Sequence, residues 1–186
     1  DEIISIGQTG YGGRPHAEYN AINNSHVNLE GSTIYITLEP CNHYGKTPPC
    51  TNLIIRKKIK EVFYSVEDVD KKVKGKSFKI LKTKNIKVKK GLLKDNMRNF
   101  YSTYFFNKKY KYPYITGKIA TSKNNLIYSK EMKRITDVHT DKLTHFLRYK
   151  NDSIMTSYKT LNKDNPKLNC RLNGLNKFSP RRIILD

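Results

Sequence analysis

Tryptophan is absent from the 186 residues, cysteine occurs three times, and acidic residues number 16 against 36 Lys and Arg. Each scarcity excludes something. Without Trp the core has to be modest and built from Ile, Leu, Tyr and Phe, in one large domain or two small ones. Three cysteines cannot all pair, so a disulfide scaffold is excluded and a reducing, cytoplasmic compartment is expected. No apolar run has transmembrane length and no signal peptide is present, so no membrane is expected as partner. The shortage of acid leaves a formal charge of +20. Such an excess can serve nucleic acid or another polyanion. Here it is mostly Lys, accompanied by Asn, Ile and Tyr, all encoded by AT-rich codons. Base composition accounts for that pattern without a selected partner, and nucleic acid is not the expected ligand. A basic surface would still steer a small phosphorylated substrate.

Two stretches carry chemistry. One is His16-Ala17-Glu18 at the start of an expected helix. The other is Thr37 to Thr51, TLEPCNHYGKTPPCT. Together they offer one imidazole, two thiols and a carboxylate two residues beyond the imidazole. A catalytic zinc takes three protein ligands and leaves a fourth position for water, whereas a structural zinc fills all four. His16, Cys41 and Cys50 supply three, and a metal-acidified water is a nucleophile near neutral pH. Cys50 opens an expected helix, where the dipole and free N–H groups favour its thiolate. Pro48 and Pro49 restrict the chain just before it. Glu18, separated from His16 by one small residue, can reach the water without ligating the metal, take its proton and return it to a leaving amine. This is the ligand pattern of hydrolytic deaminases. Two other readings stand beside it: a closed structural site with His43 as fourth ligand, and three unrelated core residues.

Around these stretches the pattern is that of an open α/β sheet covered by helices. Residues 1–6 read as the end of a strand. Gly7 to Pro15 reads as a Gly-rich loop that lacks the GxxxxGK[ST] spacing of a phosphate cradle and serves to deliver His16. A helix is expected over 16–24, a strand over 32–38, a helix over 50–60 and a strand over 61–66. A helix over 76–82, a strand over 86–88 and a helix over 92–107 complete the first unit. Lys108 to Lys111 is a basic joint. Beyond it come a strand over 114–120, a helix within 129–148, a strand over 152–156 and the start of another at 183–185.

HAE followed by TLEPCNHYGKTPPCTNLII resembles the deaminase domain of the bifunctional riboflavin-biosynthesis deaminase/reductase family. Eight residues separate Cys41 from Cys50, as in that family, and His43, Gly45, Lys46 and Thr47 match its loop. PYITGKIA (113–120), Ser122, Ile135-Thr136, Leu147-Arg148, TLNKDNPKLNCR (160–171) and PRRIILD (180–186) resemble its reductase domain.

The resemblance implies a cytidine-deaminase-like three-layer α/β domain over 1–108, lacking its N-terminal helix and strand. The first part of a dihydrofolate-reductase-like α/β domain is then expected over 109–186, truncated as given. It implies Zn²⁺ on His16, Cys41 and Cys50, Glu18 as catalytic acid/base, and His43, Lys46 and Thr47 on substrate. It further implies Lys118, Arg148, Leu168 and Arg171 as reductase substrate contacts, with Ala120, Thr160 and Asp164 lining an NADPH site. The implied substrate is 2,5-diamino-6-(5-phosphoribosylamino)pyrimidin-4-one, deaminated at its 2-amino group and then reduced by NADPH at the ribose in the complete protein. A homo-oligomer is the family's suggestion.

The sequence departs from the family at Lys123-Asn124-Asn125, at Met132 and at Arg134. The rival readings are a zinc deaminase acting on tRNA adenosine or cytidine, and a degenerate non-catalytic relative with structural zinc.

Overall fold

A computed structural model describes residues 2–127 and 135–186. Contacts divide the chain into two units, Asp1–Ile115 and Thr116–Asp186.

In the first unit the apolar, β-branched runs form three parallel strands, β1 (Thr33–Leu38), β2 (Glu61–Val66) and β3 (Lys87–Lys90), in the order β1-β2-β3. Parallel neighbours need a crossover, and helices provide it. These are α2 (Cys50–Arg56) between β1 and β2, and α3 (Lys76–Thr83) between β2 and β3, with α1 (Ala17–Asn23) ahead of them. The register sets Ile36 opposite Tyr64 and Val62 opposite Val88. Period-two alternation therefore turns all four side chains to one face. There they meet Ile22 of α1, Leu53 and Ile54 of α2 and Leu81 of α3 in a single buried cluster. On the other face Tyr35 and Phe63, paired in register, stack with ring centroids 4.8 Å apart, and Lys89 lies over Phe63.

The segment expected as a strand at 1–6 is not one: no ladder forms along it, and Ile3 and Ile6 are 78% and 77% exposed. A short apolar run becomes a strand only where a neighbouring edge offers hydrogen bonds, and propensity does not report that. The helix expected over 92–107 is two helices, α4 (Lys94–Phe100) and α5 (Ser102–Tyr110). Leu93 takes a left-handed conformation that postpones the start, and Tyr101, at φ −90° and ψ 9°, breaks the run. The break lets Tyr101 bond Thr37 of β1 at 2.7 Å through its hydroxyl and lets Tyr104 donate to the Asp68 carboxylate at 3.0 Å. Helix α2 stops at Arg56, short of the expected Lys60, because Lys58 turns left-handed and sends Ile59 into the core.

In the second unit α6 (Val138–Lys150) begins where the Asp137 carboxylate accepts the Thr140 N–H. Strand β4 (Ser153–Ser157) then pairs in parallel with β5 (Arg181–Leu185), joined through α7 (Tyr158–Asp164). The expected strand at 114–120 forms no ladder, and Ile115 and Ile119 are exposed. The first part of the helix expected within 129–148, and with it Met132 and Arg134, lies outside the described residues. Among the described residues no helix is long and apolar enough to cross a membrane.

The loop from Glu67 to Gly75 is fastened to α5. Lys108 Nζ lies 2.8 Å from the Asp70 carboxylate and over the Tyr104 ring. The Lys108 ammonium, followed by the Lys72 N–H, pulls the Asp70 carboxyl down to about 2. A depressed folded value means the ionised carboxylate favours the fold. Its contribution is complete above the ordinary carboxylate value near 4 and is lost as pH falls through about 2. Asp70→Asn is therefore expected to lower stability by about 1 kcal/mol at neutral pH, a partly exposed pair being worth no more. The deficit should shrink as pH drops below about 4. Urea midpoints of both proteins at pH 7, 4 and 3 test this, and a gap that stays constant with pH rejects it.

Candidate active site

The chain leaves β1 at Leu38 and is seized at the next residue. Glu39 is 3% exposed. Its carboxylate accepts three backbone N–H groups, from Gly75 at 3.0 Å, Ser77 at 3.2 Å and Asp68 at 3.3 Å. The Ser77 hydroxyl donates to the Pro40 carbonyl at 2.6 Å and accepts from the Asn42 amide at 3.0 Å, while that amide also donates to the Val73 carbonyl. Cys41 is thus held from both flanks by the start of α3. Its carbonyl takes the Thr51 N–H and its sulfur the Cys50 N–H, which locks it to the first turn of α2.

His16 arrives from the other side as the residue capping α1. The Gly-rich loop before it is compact, with the Gly10 N–H bonded to the Pro15 carbonyl. Gly7 packs so tightly on Ala17 and Ala21 of α1 that a Cβ there would collide with backbone. Gly7 and Gly10 therefore serve close packing in the loop that leads to His16.

These elements bring His16 Nδ1 to 3.4 Å from Cys41 Sγ and 3.5 Å from Cys50 Sγ. The three ligand atoms all lie within 4.8 Å of one another. At a tetrahedral zinc with ordinary bond lengths, an imidazole nitrogen and a thiolate sulfur stand roughly 3.6 Å apart. One nitrogen and two sulfurs at this spacing fit Zn²⁺ in charge, softness and size. His43 is not a member of this donor group, which leaves the closed four-ligand cage without its fourth residue. The His43 Nδ1 is buried without a partner among the described residues.

The donors share protons accordingly. A hydrogen bond from the Cys50 thiol pulls Cys41 down to about 4, helped by His16, and the same bond with burial pushes Cys50 up. Contact with Cys41 raises His16. Glu18, in the first turn of α1, is 8% exposed, and burial pushes its carboxyl above the usual carboxylate range. The neighbouring His16 and Cys50 pull the other way. The structure thus gathers a buried carboxyl and three side chains able to hold a metal at one point.

Thr47 is half-buried and Lys46 exposed on the turn between the two cysteines. In the second unit Leu168 and Arg171 lie on one segment. That segment touches Arg148, whose guanidinium donates to the Asn169 carbonyl at 3.2 Å. The Arg171 N–H bonds His145 Nδ1 at 3.2 Å. Burial, and then Arg171, lower Arg148. Lys118 and Ala120 lie on the 116–120 stretch, which joins no ladder, while Thr160 and Asp164 lie on α7. Sequence reasoning missed Arg14, Glu39, Asn42 and Ser77. Nothing in residue type marks the last three, since their partners are mostly backbone groups some 30 to 40 positions away.

The zinc-binding region of cytidine and deoxycytidylate deaminases matches residues 1–66. Riboflavin biosynthesis protein RibD of Bacillus amyloliquefaciens is 36% identical over 187 residues, covering 100% of this chain and 50% of that protein. The diaminohydroxyphosphoribosylamino-pyrimidine deaminase of Buchnera aphidicola is 47% identical over 93 residues, covering 50% of this chain and 63% of its own. Among solved structures, the diaminohydroxyphosphoribosylaminopyrimidine deaminase/5-amino-6-(5-phosphoribosylamino)uracil reductase of Thermotoga maritima superposes with a TM-score of 0.89 at 35% identity, covering 98% of this chain and 53% of that one. RibD of Acinetobacter baumannii superposes at 0.88 and 31%, covering 100% and 54%. The chain spans about half the length of the curated relatives it matches. The first unit is a cytidine-deaminase-like α/β domain, and the second matches part of what accompanies it in those proteins.

Proposed function

We propose, from this chain's place as a partial member of the riboflavin-biosynthesis deaminase/reductase family, that its first unit hydrolyses the 2-amino group of 2,5-diamino-6-(5-phosphoribosylamino)pyrimidin-4-one. The observation that carries the reading is the meeting of His16 Nδ1, Cys41 Sγ and Cys50 Sγ beside the buried Glu18. His16, Cys41 and Cys50 would hold zinc, whose Lewis acidity makes water a nucleophile near neutral pH.

The chain's own residues do the rest. Glu18 takes a proton from the attacking water and returns it to the leaving nitrogen, so that a C–O bond forms, the C–N bond breaks and ammonia departs. Burial strengthens that exchange by excluding competing solvent. The unpartnered His43 Nδ1 offers the pyrimidine a hydrogen-bonding group, and Lys46 and Thr47 present a cation and a hydroxyl from the same turn.

The deaminase domain is assigned to 1–108 and the reductase portion to 109–186. In the complete protein Lys118, Arg148, Leu168 and Arg171 would bind the product of deamination. Arg148 and Arg171 suit its phosphate, and Ala120, Thr160 and Asp164 would line the site for NADPH. A cytoplasmic homo-oligomer without nucleic acid belongs to the same proposal.

The test compares ammonia release by the zinc-loaded protein from the pyrimidine phosphate and from a tRNA anticodon stem. Release from the pyrimidine alone is expected. Activity confined to RNA overturns the proposal.

A further inference from the structure

Arg14 has no part in the chemistry above, yet its guanidinium touches both halves of the site. Nη1 donates to Thr47 Oγ1 at 2.9 Å and lies 3.3 Å from His16 Nδ1. Nη2 lies against the same turn, close enough to stand 3.3 Å from a Cβ built on Gly45. The turn it grips has one internal backbone bond, from the Gly45 N–H to the Thr47 carbonyl at 3.3 Å, and Tyr44, Gly45 and Lys46 are exposed. A turn so lightly tied to itself depends on outside contacts for a fixed shape. Arg14 supplies one from a rigid base, because the 7–15 loop is pinned to α1 by the close packing of Gly7.

We infer that Arg14 is a positioning residue: its guanidinium, bonded to the Thr47 hydroxyl, latches the 43–47 turn to the metal-binding end of α1 and so sets Lys46 and Thr47 for substrate. The inference rests on the reading that this turn holds the substrate. When Nδ1 is committed to a metal, the contact between Arg14 and the imidazole is given up, and the Thr47 bond carries the latch. Arg14 then acts on binding more than on the chemical step, which Glu18 performs. A planar guanidinium can keep Nη1 on Thr47 while Nη2 faces Gly45, whereas a lysine ammonium reaches one of them at a time.

The test uses the zinc-loaded full chain as wild type, Arg14→Ala, Arg14→Lys, Thr47→Val and the double variant Arg14→Ala/Thr47→Val, each checked for zinc content. The first readout needs no turnover: amide hydrogen exchange of the 43–49 segment without substrate. Arg14→Ala and Thr47→Val are each expected to speed that exchange by about tenfold, the scale of a lost charge-assisted hydrogen bond, and the double variant no further. Arg14→Lys should recover part of the protection. The second readout is kinetic: KM for the pyrimidine phosphate rises by about tenfold in Arg14→Ala with kcat within about twofold, by at least as much in Thr47→Val, which also loses the hydroxyl that faces substrate, and in the double variant no further than in Thr47→Val. Unchanged exchange in Arg14→Ala overturns the latch whatever the kinetics. KM effects that multiply in the double variant also overturn it, because Arg14 would then contact substrate independently of Thr47. Altered exchange in a protein whose wild type releases no ammonia from the pyrimidine upholds the latch and retires the functional reading instead.

Discussion

Replacing Glu18 by Gln is expected to lower the deamination rate by roughly 10²- to 10⁴-fold, the usual contribution of a general acid/base, while zinc content and melting temperature stay at wild-type values. The substitution keeps the length and shape of the side chain, and one oxygen that accepts hydrogen bonds. It removes the ability to take up and return a proton. Glu18 sits in the first turn of α1 and is buried, with its carboxyl raised by burial and lowered by His16 and Cys50. A neutral amide in that pocket bears less desolvation cost than a carboxylate, so no loss of stability is anticipated. The group able to hold a metal is His16, Cys41 and Cys50, and Glu18 is not in it, so metal should remain. Ammonia release, zinc analysis and a melting curve on the same preparation decide the matter. Loss of rate with retained metal assigns the proton transfer to Glu18. If Glu18→Gln keeps wild-type turnover, the proton is carried by another group. If neither protein turns over, the zinc is a structural clip.

The cluster of His16, Cys41 and Cys50 is legible in the sequence because metal chemistry restricts residue type. Few side chains bind zinc, and a His, two Cys and an adjacent Glu at fixed offsets are hard to read otherwise. The first strand was legible for a related reason: β1 is β-branched and alternates, and its inward face is part of the core. Propensity could not report which edges find partners. Residues 1–6 and 114–120 carry isoleucines as β1 does, yet neither joins a ladder. The turn at Leu93 and the break at Tyr101 were invisible for another reason. A left-handed residue and a pause between helices depend on where Tyr101 and Tyr104 must reach, to Thr37 and Asp68, and those partners are 64 and 36 residues away. Arg14 escaped notice because a lone arginine in a basic chain carries no signal until Thr47 is seen beside it.

Glu39→Ala is expected to cost about 3–5 kcal/mol of unfolding free energy and to strip the protein of most of its zinc. Glu39 lies within the most recognisable motif in the chain, but its carboxylate satisfies the N–H groups of Asp68, Gly75 and Ser77. Each buried donor left without an acceptor costs about 1–3 kcal/mol, and three donors lost together cost less than their sum because the loop can relax. That loop also carries the Val73 carbonyl and precedes the Ser77 hydroxyl, the groups that fix Asn42 and Pro40 on either side of Cys41. Relaxing it therefore moves a metal ligand. Zinc binding is itself a source of folding free energy, so the two losses reinforce one another. Glu39→Gln separates the parts: its carbonyl oxygen can still accept, while its NH₂ faces a donor, so an intermediate loss of stability with partial zinc retention is expected. Chemical unfolding with and without chelator, alongside zinc stoichiometry, measures both effects. A Glu39→Ala protein that unfolds within about 1 kcal/mol of wild type and keeps a full complement of zinc would show that Cys41 is held by α2 alone.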